Sequence, residues 1–66
     1  MPVISVETGK LEEDQKQALI KNLTKTASET LNIPAQSFLV LIKEYGLDNV
    51  ASGGKTLREM FEERSK

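Results

Sequence analysis

The chain opens on an alternation. Across Val3-Ile4-Ser5-Val6-Glu7-Thr8, an extended backbone puts Ile4, Val6 and Thr8 on one face and Val3, Ser5 and Glu7 on the other. The pattern predicts a first strand from about Pro2 to Thr8, ended by Gly9. Proline has no N–H for the ladder, so it is tolerated at the first residue of a strand and rarely further in. The period then changes. Leu19, Ile20, Leu23, Ala27 and Leu31 recur at spacings of three and four, a single apolar stripe on an otherwise polar helix. Glu12, Glu13 and Asp14 in its first turn complement the positive end of the helix dipole, and Glu12 and Lys16 are spaced as an i,i+4 pair. Asn32 suits a C-terminal stop and Pro34 biases Ile33 away from helix, so the helix spans about residues 12 to 32. The continuous apolar run Phe38-Leu39-Val40-Leu41-Ile42, extended by Lys43, Glu44 and Tyr45, reads as a second strand whose two faces both want cover.

Strand, crossover helix and strand make a βαβ unit, which predicts parallel strands and a right-handed connection. One helix covers one face of a two-stranded sheet. The other face has nothing left in so short a chain to pack against, which points to a second copy, sheet against sheet. Beyond Tyr45 the chain turns through Gly46, Asp48 and Asn49, presents Val50 and Ala51, and turns again at Ser52-Gly53-Gly54, as in a short hairpin. Thr56 and Glu59 form a capping box, and Leu57, Met60, Phe61 and Arg64 give one partly apolar face to a terminal helix. A helix of about ten residues is too short to stand alone in water, so it should dock on something. The predicted class is therefore α+β, one domain over residues 1–66: a single βαβ unit with a parallel two-stranded sheet, a C-terminal hairpin and a terminal helix.

Composition narrows the function. At 66 residues the chain can bury only roughly 60% of the surface it exposes unfolded, so a lone copy is marginal without a staple. There is no cysteine and no histidine, which removes disulfides, Cys/His zinc sites, thiol nucleophiles and imidazole bases together. Oligomerisation is the staple that remains. Nine Lys/Arg against ten Asp/Glu give a net charge of −1 with no basic stripe among aromatics, so nucleic acid is not an expected partner. The longest apolar run, Phe38 to Ile42, falls far short of the roughly 20 residues that span a bilayer, and no basic residue precedes Lys10 as in a signal peptide. A cytoplasmic protein without a membrane partner is expected.

Several constellations invite chemistry. Gly53-Gly54-Lys55-Thr56 looks like the end of a phosphate-binding loop, but the glycine that motif needs falls on Asn49, and a hairpin turn followed by a helix cap accounts for it. Glu12-Glu13-Asp14 cannot converge on a metal from consecutive helical positions. Glu7 and Glu44 read as ordinary strand-edge carboxylates. Pro2 is different. If Met1 is removed, as a small second residue generally permits, Pro2 becomes a secondary amine fixed at a strand end; with Met1 attached its nitrogen is a tertiary amide and no base. Apolar surroundings and a nearby cation such as Lys10 both lower an amine's proton affinity, and an amine neutral near pH 7 is a general base. A free α-amino group titrates at roughly 7.7 to 8.0 and a free proline amine begins higher, so the site has to depress it. On residues alone, a stiff chain start for Pro2 and a solvated loop lysine for Lys10 are the plainer readings.

Met1-Pro2 opening a strand, Gly9-Lys10, Asp14-Gln15-Lys16, Leu19-Ile20, the run from Ser37 to Glu44 and Gly53-Gly54, in this order on a chain of this length, resemble the 4-oxalocrotonate tautomerase family. The resemblance implies small βαβ subunits assembled as homohexamers, trimers of dimers, with sites lined by neighbouring subunits. It also implies a cofactor-free 1,3-keto-enol shift on a small 2-hydroxy or 2-oxo unsaturated acid, with the amine of Pro2 as catalytic base. In the same comparison, the family's carboxylate-binding loop arginine falls at or near Lys10, which keeps the charge but loses the bidentate fork. The arginine of strand two falls on Leu39, and the aromatic of the hairpin region on Val50. Leu39 and Val50 are thus expected as pocket wall, Lys10 as anion contact and Ser37 at the pocket edge. These departures favour a monocarboxylate or less charged enol over a dicarboxylate. Hydration, dehalogenation or decarboxylation of an unsaturated acid, and a non-catalytic self-assembling homologue, are the alternatives.

Overall fold

The computed structural model describes residues 1–64. Strand β1 (Val3–Gly9) leads into helix α1 (Glu13–Leu31), a 3₁₀ turn at Ala35–Ser37 and strand β2 (Leu39–Tyr45); a second 3₁₀ turn at Leu47–Asn49 precedes the short strands β3 (Ala51–Ser52) and β4 (Lys55–Thr56) and helix α2 (Leu57–Arg64). β1 and β2 are parallel, in a register that runs from Val3 opposite Leu39 to Gly9 opposite Tyr45. The ladder begins one residue earlier, where the Leu39 N–H donates to the Pro2 carbonyl at 3.0 Å. Pro2 therefore supplies an acceptor to the sheet, the one ladder group it has.

Local chemistry sets the helix ends where the sequence puts them. Gln15 Oε1 accepts from the Glu12 N–H at 3.0 Å, so Glu12 belongs to the cap. At the other end Asn32 takes the left-handed conformation, φ 59 and ψ 44, with its N–H on the Ser28 carbonyl. Ser28 Oγ also donates to the Ile33 carbonyl at 2.6 Å, which turns the chain towards β2. The stripe is narrower than predicted. Lys16, Leu19, Leu23 and Ala27 are half-buried, whereas Ile20 is 37% and Leu31 55% exposed. Each step of four residues turns a helix about 40° past a full revolution, so Leu31 has drifted about 120° from Leu19, and Ile20 stands about 100° from it.

The tail follows its turn chemistry. Gly53 and Gly54 both have positive φ, 60 and 83, as the two central residues of a tight hairpin require. Ala51 faces Thr56 and Ser52 faces Lys55. Thr56 Oγ1 accepts from the Glu59 N–H at 3.2 Å and Glu59 Oε1 from the Thr56 N–H at 3.1 Å, the reciprocal capping box. Arg58 Nε meets Asp48 Oδ1 at 2.8 Å and ties α2 to the second 3₁₀ turn. The principal contacts of α2 are with that turn and β4, and Phe61 stays 47% exposed. Among the described residues, no helix is long and apolar enough to cross a membrane.

Burial alternates along both strands. Ile4, Val6, Thr8, Val40, Ile42 and Glu44 are half-buried on the face that α1 covers, while Val3, Leu39 and Leu41 are 54, 44 and 43% exposed on the other. No described residue is fully buried. The surface, 5293 Å², exceeds the about 4,200 Å² typical of a folded monomer of 7.3 kDa. The radius of gyration, 15.8 Å, likewise exceeds the about 11 Å of a compact chain of this length. The described residues form no fully buried core within one protomer, and the bare sheet face is the surface that a second copy would cover. The stability of the protomer should therefore depend on concentration. Thermal midpoints are expected to rise with protein concentration, and Leu41→Lys to lower them and reduce the sedimenting mass, at a cost of about 1–2 kcal/mol per protomer. A concentration-independent midpoint with a monomer mass would contradict this.

Candidate active site

The sequence-predicted residues gather at two ends of the sheet. Pro2, Ser37 and Leu39 lie at the start of the strands. Pro2 is half-buried and its carbonyl holds the Leu39 N–H; the side chain of Leu39 opens onto the bare face. The 3₁₀ turn delivers half-buried Ser37 to the same end, its N–H donating to the Pro34 carbonyl at 3.0 Å. Met1 is 91% exposed, so its removal would forfeit little packing. Lys10 and Val50 lie at the opposite end. Lys10 is exposed just beyond Gly9, and half-buried Val50 lines a shallow hollow with Glu7, Thr8, Gly9, Tyr45, Asn49 and Leu57. At about 3.3 Å per residue, β1 carries the chain about 20 Å from Val3 to Gly9. One protomer does not bring Lys10 or Val50 to its own Pro2.

Two carboxylates that the sequence leaves as ordinary edge residues have specific partners, on opposite faces of the sheet. Glu44, on the helix face, accepts from the Leu11 N–H at 2.8 Å and from Lys16 Nζ at 2.8 Å, with 21 and 30% of the two side chains exposed. The Lys16 hydrogen bond first, and the Leu11 N–H next, hold the Glu44 carboxyl below the usual carboxylate range, helped by the charges of Lys16 and Lys10. Glu44 in turn raises Lys16 above its ordinary value. The second partner of Lys16 is Glu13 at 3.9 Å, not Glu12, which serves the helix cap. On the bare face Tyr45 Oη donates to Glu7 Oε1 at 2.7 Å, and the carboxylate pushes the phenol up. Strand alternation held a clue to the first of these pairs. A charge in register with Val40 and Ile42, facing a helix, has to find a partner.

Known proteins share this fold. A family profile described as "Tautomerase enzyme" matches residues 2–60. A 4-oxalocrotonate tautomerase homologue of known structure is 28% identical, with 89% of this chain and 95% of that one covered, at a TM-score of 0.81. DmpI from Archaeoglobus fulgidus is 32% identical over 86% of this chain and 98% of its own, at 0.78. TomN, a 4-oxalocrotonate tautomerase homologue in the tomaymycin biosynthetic pathway, is 27% identical over 98% and 97%, at 0.84. No curated protein matches the chain.

The Glu44 clamp has a pH signature. A carboxylate depressed by folding stabilises the fold above its unfolded value of about 4.3, and that contribution is lost as pH falls through the lower folded value. A lysine raised by folding contributes below its ordinary 10.5 and loses the contribution as pH rises through its higher folded value. Both act fully in the window between. Glu44→Gln should therefore lower the thermal midpoint at neutral pH and flatten the fall that the wild type shows below about pH 4. Parallel pH profiles from pH 3 to 8 for the two proteins would remove the clamp from the account.

Proposed function

The chain belongs to the tautomerase family, and on that premise we propose that it is a cofactor-free tautomerase acting through the amine of Pro2 once Met1 is removed. The observation that carries this reading is the setting of Pro2: a half-buried ring whose carbonyl is fixed in the sheet, behind a methionine that packs on little. Freed of Met1, the ring nitrogen is a secondary amine on a rigid support. Apolar surroundings and a cation brought beside it both favour the neutral form, which is the form able to accept a proton.

The reaction is a 1,3-proton shift on a small 2-hydroxy unsaturated acid. The amine takes the proton of the enol oxygen and returns one to carbon three, leaving the 2-oxo acid, so no cofactor enters the balance. Lys10 pairs with the carboxylate as a point charge, without a guanidinium's bidentate fork. Leu39 and Val50 form walls, with Ser37 at the edge. Because Lys10 and Val50 stand about 20 Å from the Pro2 of their own chain, they serve the Pro2 of another copy. A homo-oligomer is thus part of the proposal, and a hexamer is what the family resemblance implies. A non-catalytic assembly is the second reading, favoured by the exposed, uncharged Leu39 where the family carries an arginine.

Pro2→Ala should lower keto-enol turnover by about a hundredfold to ten-thousandfold while leaving the assembly intact. Lys10→Ala should raise KM for a carboxylate substrate by about tenfold with less effect on kcat. The intact mass of natively processed protein should lack one methionine. A retained methionine, or undiminished turnover in Pro2→Ala, would favour the assembly reading.

A further inference from the structure

The hollow that contains Val50 also contains a carboxylate with no part in the proton shift. Glu7 lines it beside Tyr45, Thr8, Asn49 and the apolar Val50 and Leu57. Register puts Lys43 opposite Glu7 on the same face of the parallel pair. Among the described residues no ion pair joins them, and Glu7 Oε1 instead takes the Tyr45 hydroxyl proton at 2.7 Å. The carboxylate is turned from the middle of the sheet towards the hollow, and Tyr45 holds it there. Lys10 is exposed and follows Gly9, which lines the same hollow, so a molecule paired with Lys10 and resting on Val50 lies beside the Glu7 carboxylate.

Resting on the tautomerase reading, we infer that Glu7, oriented by Tyr45, is a specificity-determining wall of the site that admits acids with one carboxylate and rejects those with two. The first carboxylate goes to Lys10. A second one reaching into the hollow meets Glu7 with no cation bound to it. Two like charges about 7 Å apart, one of them on an exposed side chain, at an effective dielectric of about 40, repel enough to weaken binding by about fivefold to tenfold. A hydroxyl, amide or methyl group at that end pays no such penalty, and a hydrogen-bond donor there can use the second Glu7 oxygen.

The test is a binding ratio, which needs no turnover. Hexanoate and hexanedioate share a carbon skeleton and differ by one carboxylate. Calorimetric titration of the assembled, processed protein with each should show hexanedioate disfavoured. In Glu7→Gln, which keeps an acceptor for Tyr45, the ratio of the two affinities should move towards hexanedioate by about fivefold to tenfold. Tyr45→Phe, which frees the carboxylate, should move it part of the way. The shift in Glu7→Gln should also shrink with added salt, as a charge effect does. A ratio that stays the same in Glu7→Gln, with the assembly intact by sedimentation, would overturn the inference. Turnover undiminished in Pro2→Ala would instead overturn the enzyme reading, and the binding ratio would still report on Glu7.

Discussion

A two-stranded sheet has two faces, and this chain owns one long helix. Nearly everything else in the protomer follows from that shortage. The helix takes the face of Ile4, Val6, Val40 and Ile42, and the strand period then obliges Val3, Leu39 and Leu41 to look the other way. With no side chain fully buried, hydrophobic stabilisation within one chain is thin, and a second copy is the cover the bare face calls for. The α2 tail has the same character. Its cap, its link to Asp48 and its glycine turn fix it locally, yet Phe61 remains half open to solvent.

The electrostatics are divided by the same sheet. On the covered face Glu44 ties β2 back to a distant stretch of chain, the loop through Leu11 and the first turn of α1 through Lys16. That loop carries Lys10, so the clamp fixes the base from which the candidate anion contact reaches out. On the bare face Tyr45 holds the Glu7 carboxylate among the residues that line the hollow. One face uses its carboxylate to hold the fold together, and the other leaves its carboxylate available to a visitor.

Much of this was legible in the sequence because it is local. The alternation from Val3 to Thr8, Asn32 as helix stop, Gly53-Gly54 as turn and Thr56 with Glu59 as cap are each decided by residues within a few positions of one another, and each stands in the structure as read. What escaped depends on partners far along the chain. Lys16 could be matched to Glu12 from spacing, but its nearer partner is Glu44, and the Tyr45 bond to Glu7 spans two strands. Ile20 and Leu31 were misjudged for another reason: a sum of threes and fours ignores the slow rotation of a long helix. Of the candidate site, the residues themselves supplied Pro2 with Lys10 as a nearby cation, and family resemblance supplied Ser37, Leu39 and Val50. Neither revealed that these five fall at opposite ends of one strand pair.

That separation has a consequence for mixtures. If each copy lends Pro2 to one pocket and Lys10 with Val50 to another, then no pocket belongs to a single polypeptide. Two inactive proteins, one crippled at the proline end and the other at the lysine end, would regain working pockets when dissociated and reassembled together, because some junctions would join two sound halves. A genetic lesion in such a protein is thus partly recessive at the level of the particle itself.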